Sequence, residues 1–175
     1  MRKILGRDFF RRKTLLVTRD LLGKYLVRKI GKKIIREKIT EVEAYVGPHD
    51  RASHSSRGKT ARNEIMFREA GTIYVYFTYG MHWMLNIVTE KKDFPAAILI
   101  RGTESISGPA RLTKKLKINK SLNGKKLGKK SGLWIESPSY KLKASSYKLT
   151  RTPRIGVSYA GPIWSQKKYR FLLKS

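Results

Sequence analysis

Two stretches in which polar and apolar residues alternate constrain the fold of this chain most strongly. Successive side chains of a β-strand point to opposite faces. In Lys38–Tyr45 this alternation places Glu41, Glu43 and Tyr45 on one face, and in Thr72–Thr78 it separates two tyrosines from three apolar residues. The sequence therefore predicts two strands that each present a polar or aromatic face, one of them carrying carboxylates. Such faces can enclose a flat, cationic or electron-poor ring.

The rest of the chain predicts short elements around these two strands. A helix is expected at Leu15–Leu22 and another from Gly108-Pro109, and further strands at Lys24–Ile30, at the return from Lys33, and at Pro95–Arg101, Leu133–Ile135, Tyr147–Thr150, Arg154–Val157 and Tyr169–Leu173. The Lys/Gly/Asn-rich segment Lys114–Lys130 predicts a mobile loop. We expect one compact α+β domain over residues 1–175, with a curved, mainly antiparallel β-sheet and a few short helices.

Charge narrows the class of partner. The chain has 40 Lys+Arg against 12 Asp+Glu, a net charge of +28, which favours binding to polyanions and most simply to nucleic acid. An anionic membrane surface is disfavoured because no long amphipathic helix is evident. The chain has no cysteine, which excludes disulfides, thiolate metal sites and a cysteine nucleophile. The first residues lack the apolar region of a signal peptide, so we expect an intracellular protein.

The residues alone leave several interpretations of the acidic pair and the histidines open. Glu41 and Glu43 are about 6.5–7 Å apart at Cβ if both lie on one strand, which suits a glycosidase-type carboxylate pair. They are equally consistent with surface carboxylates that balance nearby lysines and arginines. His49 and His54 lie in a loop without metal-ligand spacing, so a zinc site is disfavoured. The tyrosines fit base-stacking platforms or the half-buried rings of an ordinary sheet.

A series of short motifs carries a more specific signal. They include EVEAY at Glu41–Tyr45 and GTIYVY at Gly71–Tyr76. The others are Phe9-Phe10, Leu21–Gly23, Val46–Pro48, Ala52–Ser55, Thr60–Asn63, Met66-Phe67, Tyr79–Met81, Asn86-Ile87, Leu99–Arg101, Gly108–Leu112, Arg154–Val157 and Ala160-Gly161. In this order, and over nearly the whole chain, they resemble the alkylpurine (3-methyladenine) DNA glycosylase family of the type found in mammals and many bacteria.

The resemblance implies a hydrolytic centre. Such enzymes flip a damaged nucleotide out of the duplex, because the glycosidic bond cannot be reached within the stack. Glu43 matches the residue that holds and deprotonates the attacking water. Arg101 and the backbone carbonyl of Ile155 match groups that help to position this water.

The resemblance also implies a base pocket. Tyr45 is expected to stack on one face of the base, with His54 and Tyr76 on the other. Backbone groups of Ala52 and His54 are expected to contact the edge of the base. Asn86 is expected to crowd the exocyclic amine of guanine, so that normal guanine fits poorly.

Contacts to the duplex follow from the same resemblance. Tyr79 matches the residue that intercalates in place of the flipped base, with Met81 and His82 beside it in the minor groove. His82 departs from the family, which often has an aromatic residue there. Thr60 and Arg62 are expected to contact DNA as well.

The family implies a monofunctional enzyme that removes 3-methyladenine, 7-methylguanine, hypoxanthine or ethenoadenine from double-stranded DNA and leaves an abasic site. No lysine lies in the pocket motif, so a Schiff-base step is not expected. We expect no metal or organic cofactor, no membrane partner, and a monomer in the cytoplasm or nucleoid of a prokaryote or in a eukaryotic nucleus. The alternatives are a non-enzymatic basic nucleic-acid-binding protein and a carbohydrate-active glycosidase, the latter at odds with the charge.

Overall fold

A long central strand organises the sheet. The computed structural model describes residues 2–139 and 148–174, and in it β2 (Lys33–Tyr45) runs for 13 residues. Its first half forms the predicted hairpin with β1 (Tyr25–Ile30). Its second half pairs with β5 (Ala96–Thr103) along one edge and with β8 (Arg170–Lys174) along the other. The strand that carries the acidic pair is thus held on both sides.

The described residues contain eight strands and four short α-helices, and every strand pairing is antiparallel. The strand order is β3-β4-β5-β2-β1-β6, with β8 also pairing with β7. The remaining strands are β3 (Ile73–Thr78), β4 (His82–Thr89), β6 (Leu133–Glu136) and β7 (Lys148–Thr152), and the helices are α1 (Arg7–Phe10), α2 (Thr14–Leu21), α3 (Pro109–Lys115) and α4 (Gly161–Ser165). The predicted α+β class is confirmed. The first residue of the expected strand Tyr147–Thr150 lies outside the described residues. None of the described helices is long and apolar enough to span a membrane.

The main core lies on one face of this sheet. Val42 of β2 and Val75 of β3 belong to it, together with Val17 and Leu21 of α2 and Leu112 of α3. These side chains are removed from water because the period-two pattern of the strands meets the apolar sides of two helices. The opposite face of β2 and β3 therefore remains available for polar and aromatic groups.

A β-bulge changes the direction of one side chain in β5. Glu41 is paired with Gly102, whereas the next residue, Val42, is paired with Ile100, so that Arg101 is an extra residue on β5. A bulge bends its strand and redirects the extra side chain. Arg101 consequently reaches the two carboxylates of β2.

The strand predicted at Arg154–Val157 is wrong. The four residues form an irregular segment, and Gly156 has a left-handed backbone with φ of 73°. The backbone N–H of Ile155 donates to the Glu43 carboxylate, so it is not part of a strand ladder. The side chain of Arg154 is buried in an ion pair. The contacts of Ile155 with Glu43 and of Arg154 with its ion-pair partner therefore replace the strand that the alternating apolar residues predicted.

The Lys114–Lys130 segment is packed, not a mobile loop as predicted. Leu116, Ile118 and Leu122 are buried between the exposed lysines. The backbone of the segment also pairs with the start of β3, because Ile73 donates to the carbonyl of Lys125. The high lysine content concealed the apolar residues that anchor this segment.

Leu116→Ala tests this packing. Leu116 is 0% exposed and lies in the main core, so its truncation is expected to lower the free energy of unfolding by about 2–5 kcal/mol. The exposed neighbour Lys115 is the matched control, and Lys115→Ala is expected to change it by less than about 0.5 kcal/mol. Urea denaturation measures both. Equal, small effects would show that the segment does not pack on the core.

Candidate active site

A small cavity lies between β2, β3 and the loop that follows β2. Its volume is about 40 Å³. Five of the predicted substrate-binding residues line it, namely Tyr45, Ala52, His54, Tyr76 and Asn86. The remaining lining residues are Ser53, Met66, Tyr74, Ala97 and Tyr159. The structure thus brings together residues that span almost the whole chain.

Aromatic rings form one wall of this cavity. Tyr74 and Tyr76 point to the same face of β3, as predicted, and their ring centroids are 5.4 Å apart. The His54 ring meets the Tyr76 ring edge-on at 4.6 Å, and His54 Nδ1 shares a hydrogen bond of 3.0 Å with the Tyr74 hydroxyl. Burial, assisted by the charge of Arg62, lowers the pKa of His54 to about 4, so its ring is neutral at pH 7.

The loop between β2 and β3 is held by its own polar side chains. Asn63 donates from its amide to the carbonyls of His54 and Gly58, both at 2.8 Å, and accepts from the backbone N–H of Thr60. Ser53 accepts from the N–H of Ser55 and starts a short 3-10 turn. These bonds satisfy backbone groups that no sheet or helix pairs. His54 is therefore fixed in place against the aromatic wall.

A buried ion pair forms the base of the site. Both side chains of Asp50 and Arg154 are 0% exposed, and the guanidinium makes a bidentate contact with the carboxylate. The carboxylate also accepts from the N–H groups of Val46 and Ala52, and Arg154 donates to the carbonyl of Ala44. The pair joins the end of β2, the following loop and the C-terminal segment.

The Glu43 carboxylate lies beside the hydroxyl of Tyr45, and Tyr45 lines the cavity. Glu43 is 0% exposed. Its Oε1 accepts from the N–H of Ile155 at 2.8 Å and lies 3.4 Å from Nη1 of Arg101. Its Oε2 accepts from the Tyr45 hydroxyl at 3.0 Å. The structure therefore brings together Glu43, Arg101 and Ile155, the three residues expected to handle the water.

Burial raises the pKa of the Glu43 carboxyl above its ordinary value. The positive charge of Arg101 opposes this shift most, followed by the hydrogen bonds from the Ile155 N–H and the Tyr45 hydroxyl. A carboxylate with a raised pKa is a stronger proton acceptor once it is ionised, and its three partners favour that ionised form. Such a group is suited to act as a general base near neutral pH.

Glu41 shares the face of Glu43, as the strand pattern predicted, but it has different partners. Its Oε1 accepts from Nε of Arg101 at 3.0 Å and from Nε of Arg170 at 2.6 Å. Glu41 therefore anchors the guanidinium that contacts Glu43. Of the two interpretations of Glu41, these contacts favour the carboxylate that balances nearby arginines, although its side chain is only 15% exposed.

Tyr79 occupies the tip of the β3–β4 hairpin. It is 79% exposed, and Met81 beside it is 66% exposed, whereas His82 begins β4. Tyr79 and Gly80 both have left-handed backbones, with φ of 52° and 64°. For a residue with a Cβ this conformation is unfavourable, and it is retained where the surrounding structure fixes it. The turn thus projects an aromatic ring into solvent.

An open groove extends from the cavity. It has a volume of about 750 Å³ and is lined in part by the side chains of Arg51, Arg57 and Arg62, together with Thr60. Arg62 also donates to the carbonyl of Phe77 in β3. Arginines beside a cavity can bind phosphate oxygens. Two of the predicted DNA-contacting residues, Thr60 and Arg62, therefore lie together.

Comparisons with known proteins support one family. The chain matches the family model of methylpurine-DNA glycosylase over residues 8–108 and 103–175. A protein of Methanocella arvoryzae is 42% identical over 179 residues, covering 90% of this chain and 86% of that protein. A protein of Legionella pneumophila (strain Paris) is 42% identical over 181 residues, covering 99% of this chain and 96% of that protein. A protein of Sodalis glossinidius is 41% identical over 175 residues, covering 96% of this chain and 95% of that protein. All three carry the provisional name 3-methyladenine DNA glycosylase.

The chain belongs to the methylpurine-DNA glycosylase family. It is accordingly a DNA glycosylase, a hydrolase whose substrate is DNA. The predicted family is thereby confirmed.

Sequence reasoning missed several residues of the glycosylase's site. Asp50 received no role, and Tyr74 was considered only as one of the tyrosines that fit either base stacking or an ordinary sheet. Tyr159 lines both the cavity and the groove, and its hydroxyl donates to the carbonyl of Ala52 at 2.9 Å. One of the backbone groups of Ala52, whose backbone was expected to contact a base, therefore already accepts a hydrogen bond. The one signal for Asp50 was its place in an acid-poor chain, next to the EVEAY motif.

No group of three histidine, cysteine, aspartate or glutamate side chains that could hold a metal occurs in residues 2–139 and 148–174. His54 contacts tyrosines, and His49 lies beside the Trp164 ring at 5.8 Å. The two loop histidines thus have aromatic neighbours, and the structure offers no support for a zinc site there.

The depressed pKa of His54 predicts a pH-dependent stability. Below pH 6.5, the ordinary pKa of histidine, His54 binds a proton in the unfolded chain. In the folded glycosylase it does not bind this proton until the pH approaches 4. Folding stability is therefore expected to fall between about pH 6.5 and 4, by on the order of 2 kcal/mol from this group. Urea denaturation of the wild type and of His54→Gln across this range isolates the contribution of His54 to the free energy of unfolding, because the carboxyl groups titrate in both proteins. Parallel losses would contradict a buried, neutral His54.

Proposed function

We propose that this glycosylase removes alkylated or deaminated purines of the 3-methyladenine, 7-methylguanine and hypoxanthine type, and that Glu43 activates the attacking water. The observation that carries the proposal is the buried Glu43 carboxylate, which accepts from the N–H of Ile155 and from the hydroxyl of Tyr45, a residue that lines the aromatic cavity. We further propose that the reaction is monofunctional and leaves an abasic site.

The cavity suits a flat ring. Tyr45, His54, Tyr76 and Asn86 line it, and the rings of His54 and Tyr76 are in edge contact. A cation over a tyrosine face gains about 0.5–2 kcal/mol, which favours an alkylated, positively charged purine. The present volume of about 40 Å³ is far below the roughly 300–1,000 Å³ of small-molecule sites, so a base must displace side chains as it enters. Tyr159, which is 68% exposed and held by one hydroxyl contact, is placed to move.

The reaction is a hydrolysis at the sugar carbon. The glycosidic bond breaks, its electron pair leaves with the base, and the sugar gains positive charge that a nearby carboxylate stabilises. The water oxygen then bonds to that carbon, and its proton passes to Glu43. Arg101 and the backbone at Ile155 hold the carboxylate for this transfer.

Leaving-group chemistry favours bases that are already cationic. His54 has a pKa of about 4, and burial raises the pKa of Tyr74 and Tyr76, the latter to about 12. Among the described cavity residues, these side chains provide no acid matched to pH 7 that would protonate a departing base. An alkylated purine needs no such proton, so we propose 3-methyladenine and 7-methylguanine as better substrates than hypoxanthine.

Glu43→Gln tests the proposed base. The substitution keeps the shape of the side chain and removes the charge and the proton acceptor. Excision from methylated duplex DNA under single-turnover conditions is expected to fall by ~10²–10⁴-fold, while DNA binding is retained. Release of free alkylated purine is the measurement.

Glu104→Gln is the matched control, because Glu104 is an exposed carboxylate paired with Lys38 at the far end of β5. It is expected to retain wild-type excision. Glu41→Gln is not a neutral control, since Glu41 binds Arg101. If Glu43→Gln excises at the wild-type rate, the proposed mechanism is wrong. If the wild type releases no purine, the chain is not an enzyme on this substrate.

Tyr79→Ala tests the exposed hairpin tip as an intercalating wedge. Filling the gap left by a flipped nucleotide offsets part of an unstacking cost of a few kcal/mol. The variant is therefore expected to lose much more activity on duplex DNA than on single-stranded DNA with the same lesion. Comparing the excision rates on the two substrates measures this difference. The control is Ile163→Ala, which truncates an exposed apolar side chain elsewhere, on α4. Equal losses on both substrates would exclude a wedge.

A further inference from the structure

Tyr45 makes two different contacts at the centre of the site. Its ring lines the cavity, and its hydroxyl lies 3.0 Å from Oε2 of Glu43, two residues earlier on the same face of β2. The Oε1 atom of the same carboxylate is bound by the N–H of Ile155 and approached by Arg101. The two oxygens of the carboxylate therefore have separate partners, and within residues 2–139 and 148–174 only Tyr45 holds Oε2.

The direction of this hydrogen bond is fixed. Burial, followed by the negative charge of Glu43, raises the pKa of the Tyr45 hydroxyl well above its ordinary value. The hydroxyl therefore keeps its proton at neutral and acid pH. An ionised carboxylate can only accept hydrogen bonds, so the hydroxyl donates to it.

The position of the hydroxyl is fixed as well. The guanidinium of Arg154 lies over the Tyr45 ring at 4.8 Å from its centroid, and Arg154 itself is held by Asp50. Arg154 also donates to the carbonyl of Ala44, the residue before Tyr45. The ring and the backbone that carries it are thus anchored to one buried group, and the hydroxyl has little freedom to leave Glu43.

We propose that Tyr45 is a positioning residue for the hydrolysis as well as a wall of the base cavity: its hydroxyl holds Oε2 of Glu43 and sets the orientation of the carboxylate that receives the proton of water. The kinetic part of this inference rests on the proposed function. The contact between hydroxyl and carboxylate does not, and it can be measured in the free protein.

Several other groups also act on Glu43. They are Arg101 on β5, Arg154 and Tyr159 in the C-terminal segment, Tyr76 on β3, and, through Arg101, Glu41 on β2 and Arg170 on β8. Arginines stay charged, and Tyr76 and Tyr159, whose pKa values are raised, stay neutral across the acid range, so the influence of these arginines and tyrosines is nearly constant there. Loss of the Tyr45 hydroxyl therefore adds a separate effect.

Tyr45→Phe removes that hydroxyl and keeps the ring for stacking. The hydroxyl favours the ionised carboxylate, so without it the pKa of Glu43 rises further. A base is active when deprotonated, and activity is lost as the pH falls through its pKa. The acid limb of the excision rate is therefore expected to move to higher pH, with on the order of tenfold more loss near pH 5 than near pH 8.

Tyr76→Phe is the matched control. It removes a hydroxyl from another aromatic residue of the same cavity and keeps the ring. Whatever its rate, the pH midpoint of its acid limb is expected to match that of the wild type, because the Glu43 carboxylate keeps the hydrogen bond from Tyr45. KM for alkylated duplex DNA is expected to change little in Tyr45→Phe, because the stacking face is retained, whereas a stacking defect would raise KM at every pH.

A second readout does not use catalysis. The ¹³C resonance of the Glu43 carboxyl, assigned by its absence in Glu43→Gln, is titrated in the free wild type, Tyr45→Phe and Tyr76→Phe. Its midpoint is expected to shift upward in Tyr45→Phe alone. An unchanged midpoint, or a Tyr45→Phe rate reduced by the same factor at all pH values, would overturn the inference. A shifted midpoint in a protein that excises no purine would support the contact and reject the proposed function.

Discussion

The buried pair of Asp50 and Arg154 is the interaction on which the rest of the site depends. The two residues are 104 positions apart in the chain, and both side chains are removed from solvent. Removal of one member of such a pair leaves an uncompensated buried charge and typically costs about 3–5 kcal/mol. Every further hydrogen bond of the Asp50 carboxylate goes to the loop after β2. The loop that carries Ala52 and His54 thus has its position set from the C-terminal segment.

The same ion pair helps to explain how the structure accommodates the buried carboxylate of Glu43. An isolated ionised carboxylate is strongly disfavoured away from water. Arg154 fixes the segment from which the next residue, Ile155, donates its N–H to Glu43. It also supports the ring of Tyr45, which donates the second hydrogen bond. The charge of Arg101 is the largest favourable influence on the Glu43 carboxylate, and two neutral donors, whose positions derive from one ion pair, add to it.

Local sequence patterns predicted the parts of this structure that local rules decide. The period of two correctly placed Glu41 with Glu43 and Tyr74 with Tyr76, because strand geometry alone determines which side chains share a face. It failed where a distant contact competes with the local preference, as in the irregular segment that begins at Arg154. The bulge that redirects Arg101 depends on the register of two strands far apart in sequence, which no single-strand pattern encodes. The family resemblance supplied the roles that these patterns could not.

The charges of the site illustrate a conflict that its geometry resolves. In the proposed mechanism, Arg101 favours the ionised form of Glu43, yet its positive charge also opposes the cationic sugar that Glu43 is proposed to stabilise. Glu41 reduces this opposition, because it binds the Nε of Arg101 at 3.0 Å, closer than the 3.4 Å between Arg101 and Glu43. Arg170 in turn balances Glu41. The two carboxylates and two guanidiniums have no net charge as a group, so the negative end nearest the cavity is that of Glu43. In a chain with a net charge of +28, these two carboxylates thereby offset the two guanidiniums that reach this part of the site.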